Sequence, residues 1–168
     1  MLNILLTFVQ RLMFEKLIWV EKNSLSESFC NEVIEKFEKD SRKSDGIVNQ
    51  NNPTVNKEVK DTKDLIITGL LDWVSEDQIF FNALKIGLEK YKSYLESIHI
   101  KCYPKSDYEI EDGGYKIQKY DPAGFYDWHN DWNITTQGSR VFVFMWYLNT
   151  IKEKDEGYTE FFDGTRLQ

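Results

Sequence analysis

Val141-Phe142-Val143-Phe144-Met145-Trp146-Tyr147-Leu148 has no polar side to offer to water. In a strand, successive side chains point to opposite faces, so a half-exposed strand alternates apolar with polar residues. This stretch is apolar on both faces and rich in β-branched and aromatic residues, which suit a pleated surface. A strand of that kind must lie between other layers. The expectation is therefore an α+β, mainly β domain, with helices covering one face of its principal sheet.

Two amphipathic helices can supply that cover. Ser24-Leu25-Ser26-Glu27 has the form of a capping box, with Ser24 as N-cap and Glu27 at N3. Phe29, Val33 and Phe37 follow at steps of four, with Cys30 and Ile34 beside them. This predicts a helix over 24–39 with Cys30 packed on its apolar face. Ser75 and Gln78 repeat the capping box, and Val74 with Ile79 adds a hydrophobic staple. Phe80, Leu84, Leu88, Tyr91 and Leu95 then predict a second helix over 75–96. Neither helix carries an inward acid or base, so the chemistry is expected elsewhere.

Between the helices, residues 40–64 are dominated by Ser, Asn, Lys and Asp and predict a long surface loop. Leu65-Ile66-Ile67-Thr68 follows as a short strand. From about residue 100, strand and turn signals take over. Gly113-Gly114 marks a turn, and Tyr115 to Tyr120 is a strand ended by Pro122 and Gly124. Trp128 to Trp132 is short and extended. Asp155-Glu156-Gly157 is a turn before strands at 158–162 and 165–168. Residues 1–22 form an N-terminal extension that can hold a first strand, with Met13 as an alternative start. Residues 23–168 form one domain.

The 168 residues suit a single domain with a real core. A net charge of −7 argues against nucleic-acid binding, which needs clustered Lys and Arg. No apolar run reaches the roughly 18 residues of a membrane span. The apolar start lacks the basic region and cleavage site of a signal peptide. Cys30 and Cys102 are expected as free thiols in a reducing, cytoplasmic setting. Only two histidines exist, His99 and His129, which limits every metal or acid–base scheme.

The chemical argument rests on Asp127-Trp128-His129-Asn130-Asp131-Trp132. In an extended segment His129 and Asp131 share a face, and their heads can meet on one metal ion. An imidazole plus a carboxylate is two-thirds of the facial triad that holds non-haem Fe(II). A structural His129 hydrogen-bonded to Asp131 has the same sequence appearance. A zinc hydrolase site from Asp127, His129 and Asp131 fits poorly, since zinc leans on Cys and His. A calcium loop would need a Gly and a distal Glu that this spacing lacks.

The order of elements around the motif resembles the Fe(II)- and 2-oxoglutarate-dependent dioxygenases, in the prolyl 4-hydroxylase-like branch. Gln118-Lys119-Tyr120 followed by Gly124 is similar to the strand and loop before the metal motif. His129-Asn130-Asp131 matches His-x-Asp. Arg140 to Asn149 resembles the Arg-led apolar strand after it, and Gly157-Tyr158-Thr159-Glu160-Phe161 resembles Gly-x-Thr-x-Phe. Lys60-Asp61-Thr62-Lys63-Asp64-Leu65 looks like a short upstream motif. The resemblance covers roughly 60–168.

It implies a double-stranded β-helix, or jelly-roll, with the N-terminal helices on its major sheet. It also implies Fe(II) as cofactor, held by His129 and Asp131, with 2-oxoglutarate as cosubstrate and ascorbate as an optional accessory. The substrate would be a prolyl or other residue in a peptide, or a small molecule. Tyr120 and Thr159 fall where the family contacts 2-oxoglutarate; their alternatives are a core tyrosine and an ordinary strand threonine. Arg140 is expected in a structural ion pair. Glu156 stands where the family has the first glycine of a pair, which changes a turn.

The family's second histidine ligand and its basic 2-oxoglutarate anchor lie beyond the Gly-x-Thr-x-Phe strand, past Gln168. The expectation is a domain incomplete at its C-terminus, lacking its last strands. The competing expectation is a non-catalytic jelly-roll that binds a peptide or sugar through its aromatic residues. The 168-residue chain should bind Fe(II) weakly and release little succinate, since even a lost partner behind a metal ligand typically costs 10–100-fold. Assays of this chain and a version extended to its natural stop check this; equal succinate release from both would overturn it.

Overall fold

The computed structural model describes residues 16–48, 52–100, 111–131, 134–135 and 138–167. Met13, Asn49 to Asn51, Cys102, Trp132, Gln168 and most of the N-terminal extension lie outside the described residues.

Helix α1 spans Glu27–Lys39 and starts two to three residues later than its sequence suggests. Ser26 and not Ser24 caps it, its Oγ accepting the Phe29 N–H at 3.2 Å. Phe29, Val33 and Phe37 are buried, as their spacing requires. Helix α2 spans Val74–Ser97 and grows directly out of a 3₁₀ turn at Leu71–Trp73. Val74 is thus already helical, and no side chain caps the start. At its far end His99 takes the left-handed conformation at φ 59°. The His99 N–H donates to Glu96 O and the Ile100 N–H to Leu95 O, closing the last turn as a Schellman motif without glycine.

Residues 40–64 are not one long loop. They contain β1 (Ser44–Asp45), β2 (Ile47–Val48), β3 (Thr54–Val55) and the first two residues of β4 (Lys63–Ile66). β2 and β3 pair as a hairpin, Ile47 opposite Val55. β4 is the centre of a three-stranded antiparallel sheet between β1 and β5 (Lys116–Lys119). Its register places Leu65 opposite Ile117 and Asp64 opposite Gln118. Shorter antiparallel pairs join β6 (Ile134–Thr135) to β7 (Gly138–Ser139) and β8 (Thr159–Glu160) to β9 (Arg166–Leu167). Among the described residues none of these sheets closes on another.

The core lies between the helices and one face of the β1–β4–β5 sheet. Phe29, Val33, Phe37, Leu65, Ile67, Trp73 and Phe80 form it, and Ile117, Tyr115, Trp146 and Leu148 pack against it. Phe80 is its hub: its ring lies 5.3 Å from Phe29, 5.7 Å from Tyr115 and 5.3 Å from Trp146. Residues 141–148, expected as a strand, join no sheet among the described residues but lie against the same core. Phe142, Phe144, Trp146 and Leu148 are half-buried, and Tyr91 of α2 meets Phe142 edge-on at 5.7 Å. Val141, Val143, Met145 and Tyr147 alternate with them and are 41–53% exposed. The apolar cover expected on both faces is therefore present on the helix face and absent from the other among the described residues.

A polar clip ties α1 to the 3₁₀ turn. Arg42 reaches Asp40 at 2.5 Å and Asp72 at 2.6 Å, and the Trp73 indole N–H donates to Asp40 at 2.9 Å. Hydrogen bonds from Arg42 hold the Asp40 carboxyl well below the usual carboxylate range.

Because Phe80 contacts both helix and sheet partners, Phe80→Ala should destabilise the fold by about 3–5 kcal/mol. Ile79→Ala, one position away and 42% exposed, should cost far less. Urea unfolding midpoints of the two variants give the comparison.

Candidate functional site

The sheet face opposite the helices is polar. Side chains of β4 and β5 alternate, so Leu65 and Ile117 enter the core while Asp64 and Gln118 face away from it. Lys60 and Thr62, just before β4, join them. The Lys60 ammonium, 1% exposed, donates to Asp64 Oδ2 at 2.6 Å. Thr62 Oγ1 donates to Asp64 Oδ1 at 2.7 Å, and Gln118 Nε2 lies 3.2 Å from both carboxylate oxygens. Lys116 Nζ stands 3.4 Å from Oδ2. Burial pushes the Asp64 carboxyl up, but hydrogen bonds from Lys60, Thr62 and Gln118 outweigh it and leave it below the ordinary value. Gly46 is packed over this network: a side chain there would run into Thr62 Oγ1 and come within 2.8 Å of Lys60 Cε.

Lys60 also reaches the metal-motif segment. Its backbone bridges to Tyr126, and its ammonium sits 5.0 Å from the Tyr126 ring centre. Tyr126 in turn stacks on the His129 imidazole, centroids 3.7 Å apart and planes within 16°. His129 Nδ1 is 2.8 Å from the Asp127 carbonyl oxygen. That oxygen can only accept, so the neutral ring carries its proton on Nδ1 and keeps the Nε2 lone pair free.

Nε2 lies 3.8 Å from Asp131 Oδ1, so the two side chains approach each other. The segment is not a strand; a bend lies at Trp128, just before His129. A first-row divalent cation, with bonds of about 2.0–2.2 Å to such atoms, spans that gap. Arg140 Nη1 competes for the same carboxylate, at 3.4 Å from Oδ1 and 3.0 Å from the Asp131 carbonyl oxygen. Asp127 does not join the pair through its side chain; its carboxylate accepts the Trp128 N–H at 2.7 Å. Among the described residues no three His, Cys, Asp or Glu side chains group to hold a metal.

Tyr120 is 48% exposed and so is not a core tyrosine. Its remaining burial, then the carboxylates of Asp64 and Asp131 and the neighbouring phenols of Tyr126 and Tyr147, push its hydroxyl up to about 12. It is therefore a neutral donor at ordinary pH. The Tyr147 hydroxyl bonds Thr159 Oγ1 at 2.6 Å. Thr159 is tied to Tyr147 by this bond, and Tyr147, Asp64 and Asp131 lie near enough to Tyr120 to act on its hydroxyl. The Lys60–Asp64–Lys116 network was not anticipated as part of the site. Its one sequence signal is the Lys60–Leu65 stretch that resembles an upstream motif.

No helix among the described residues is long and apolar enough to cross a membrane. Two surface hollows, one lined by Trp19, Glu89, Lys90, Ser93 and Tyr94 and one around Arg42, contain none of the site residues.

Lys60→Met should leave the buried Asp64 carboxylate with its Thr62 and Gln118 hydrogen bonds and only the more distant Lys116 cation, costing about 3–5 kcal/mol, while Lys60→Met with Asp64→Leu should recover most of it. The pH dependence follows from the depressed Asp64 value. A lowered native pKa stabilises above the unfolded value of about 3.9 and is lost as pH falls through the native one. Stability of the unmutated chain against urea should therefore fall below about pH 4, with a shallower slope in the double variant. No family model, curated protein or solved structure matches this chain.

Proposed function

We propose that this sheet face belongs to the active site of an Fe(II)- and 2-oxoglutarate-dependent oxygenase of the prolyl 4-hydroxylase-like branch, built on a jelly-roll. The observation that carries the reading is the approach of His129 Nε2 to Asp131 Oδ1 at 3.8 Å beside a polar sheet face. A sheet that met a second apolar layer at this point would not present Asp64, Gln118 and Lys116.

In this scheme His129 and Asp131 hold the iron. The Asp127 carbonyl fixes the His129 tautomer, and Tyr126 fixes the ring plane. Tyr120 and the Tyr147–Thr159 pair offer hydroxyl groups toward the cosubstrate. Bound iron would supply oxygen activation, coupled to conversion of 2-oxoglutarate to succinate and carbon dioxide, for hydroxylation of a substrate C–H bond. The substrate class is a residue in a peptide, prolyl or other, or a small molecule. Ascorbate would serve as an accessory reductant.

Arg140 on Asp131 supports a second reading, a non-catalytic jelly-roll whose His129–Asp131–Arg140 contacts are structural. Metal titration separates the two. Under anaerobic conditions, His129→Ala and Asp131→Ala should each weaken Fe(II) binding at least about tenfold. Arg140→Gln should leave it equal or tighter. Unchanged Fe(II) affinity in both alanine variants would sink the oxygenase reading and leave the structural one.

A further inference from the structure

Helix α2 carries an apolar stripe that the core does not use. Phe80 and Leu95 are buried and Tyr91 meets Phe142. Ile79, Ala83, Ile86 and Lys90 recur at steps of four, three and four on another side of the helix. Ile86 is 57% exposed and Ile79 42%. The C-terminal end of this stripe is occupied. The Tyr91 hydroxyl donates to the Leu17 carbonyl oxygen at 2.6 Å, the Lys90 ammonium bonds the Glu21 carboxylate, and the Trp19 ring lies 4.9 Å from that of Tyr94. Just before this strap the chain turns at Lys16 and Leu17. Residues 17–21 therefore bring the preceding segment to the helix face whose apolar residues are open.

Residues 1–15 have the sequence to fill that face. Asn3, Thr7, Gln10 and Arg11 fall at i, i+4, i+7 and i+8, so on a helix they make one polar stripe. Leu2, Leu5, Val9 and Leu12, at steps of three, four and three, lie on the apolar side. A half-buried strand needs alternation, which Ile4-Leu5-Leu6 and Leu12-Met13-Phe14 break. No Gly or Pro interrupts the run. Length agrees: as a helix, residues 1–15 would span about 22 Å, against about 16 Å from Ile79 to Lys90. A helix this short is marginal alone in water and needs a packing face.

We propose that residues 1–15 form a helix packed along this stripe and parallel to α2. Leu12 meets the aliphatic stem of Lys90, Val9 meets Ile86, Leu5 meets Ala83, and Leu2 lies at the rim beside Ile79. The occupant is the chain's own segment and not a second copy or a lipid surface, because residues 17–21 tether it beside the stripe. A short tether gives an effective concentration on the order of millimolar, which a free partner does not match. The inference does not depend on the oxygenase reading.

The test uses the full chain with methyl-labelled Ile, Leu and Val. NOEs are expected from the Ile86 δ1 methyl to the methyls of Val9 and Leu5. An isotope-filtered spectrum of mixed labelled and unlabelled chains, which passes only contacts between copies, should show none of them. Limited trypsin digestion reads the same contact as a rate. A carboxylate at position 86 would undock the segment, so cleavage after Arg11 should be at least about tenfold faster in Ile86→Asp than in the unmutated chain. Lys85→Asp, exposed on the other side of α2, should leave the rate unchanged. Far-UV circular dichroism checks the fold of each variant.

No NOE between residues 1–15 and Ile86 in the unmutated chain, or equal cleavage rates in a folded Ile86→Asp, would overturn the proposal. Contacts in the filtered spectrum would overturn it in favour of an interface between two copies. Helical signals for residues 1–15 that appear only with phosphatidylcholine vesicles would overturn it in favour of a lipid surface.

Discussion

The bond from Lys60 to Asp64 stands where almost no water reaches. A buried ion pair gains nothing for stability unless its remaining hydrogen-bonding positions are filled, because both charges have lost their hydration. Thr62 and Gln118 fill them here. The pair therefore fixes the spacing of β4 and β5 on their polar side, as Leu65 and Ile117 fix it on the other. It also extends outward: Lys60 holds Tyr126 by backbone and ring, and Tyr126 carries His129. Lys60 thus acts on the position of the imidazole through the Tyr126 ring that lies between them in the chain of contacts.

The layer that bears these groups has two unlike sides. Toward the helices it is a hydrocarbon surface centred on Phe80, whose three aromatic neighbours come from α1, from the approach to β5 and from the 141–148 segment. Away from the helices it is charged near β4 and β5 and apolar along Val141, Val143 and Met145. A wall that is polar at one end and apolar at the other suits a site that seats a charged group and an uncharged one side by side.

The parts of the fold carried by periodicity were legible in the sequence. Phe29, Val33 and Phe37, and Phe80 with Leu95, lie on the buried stripes that their spacing predicts. Helix starts were less so. Two serines compete at α1, and only the Oγ of Ser26 reaches a free N–H; at α2 the preceding 3₁₀ turn makes capping at Ser75 unnecessary. β1, β2 and β3 are two residues long, too short to show alternation, so their Ser, Asp and Thr content read as loop. His129 Nε2 and Asp131 Oδ1 lie 3.8 Å apart in a segment that is not the extended strand their i, i+2 spacing suggested. Nothing local marks Lys60 and Asp64 as buried, because a lysine and an aspartate four apart look the same when solvated. The pairing of Asp64 with Gln118, 54 residues away, is what takes them out of water.

Gly46 ties the history of this protein to that buried pair. The chain passes so close to Lys60 and Thr62 that only a hydrogen atom fits where other residues carry carbon. Positions 46, 60, 62 and 64 therefore cannot drift independently. Thr62 Oγ1 makes the tighter contact, so a lineage would have to shorten both the threonine and the lysine before position 46 could accept alanine or serine. Inherited variation at these four sites should arrive in concert, marking a chemical unit spread over 19 positions that no contiguous stretch of sequence displays.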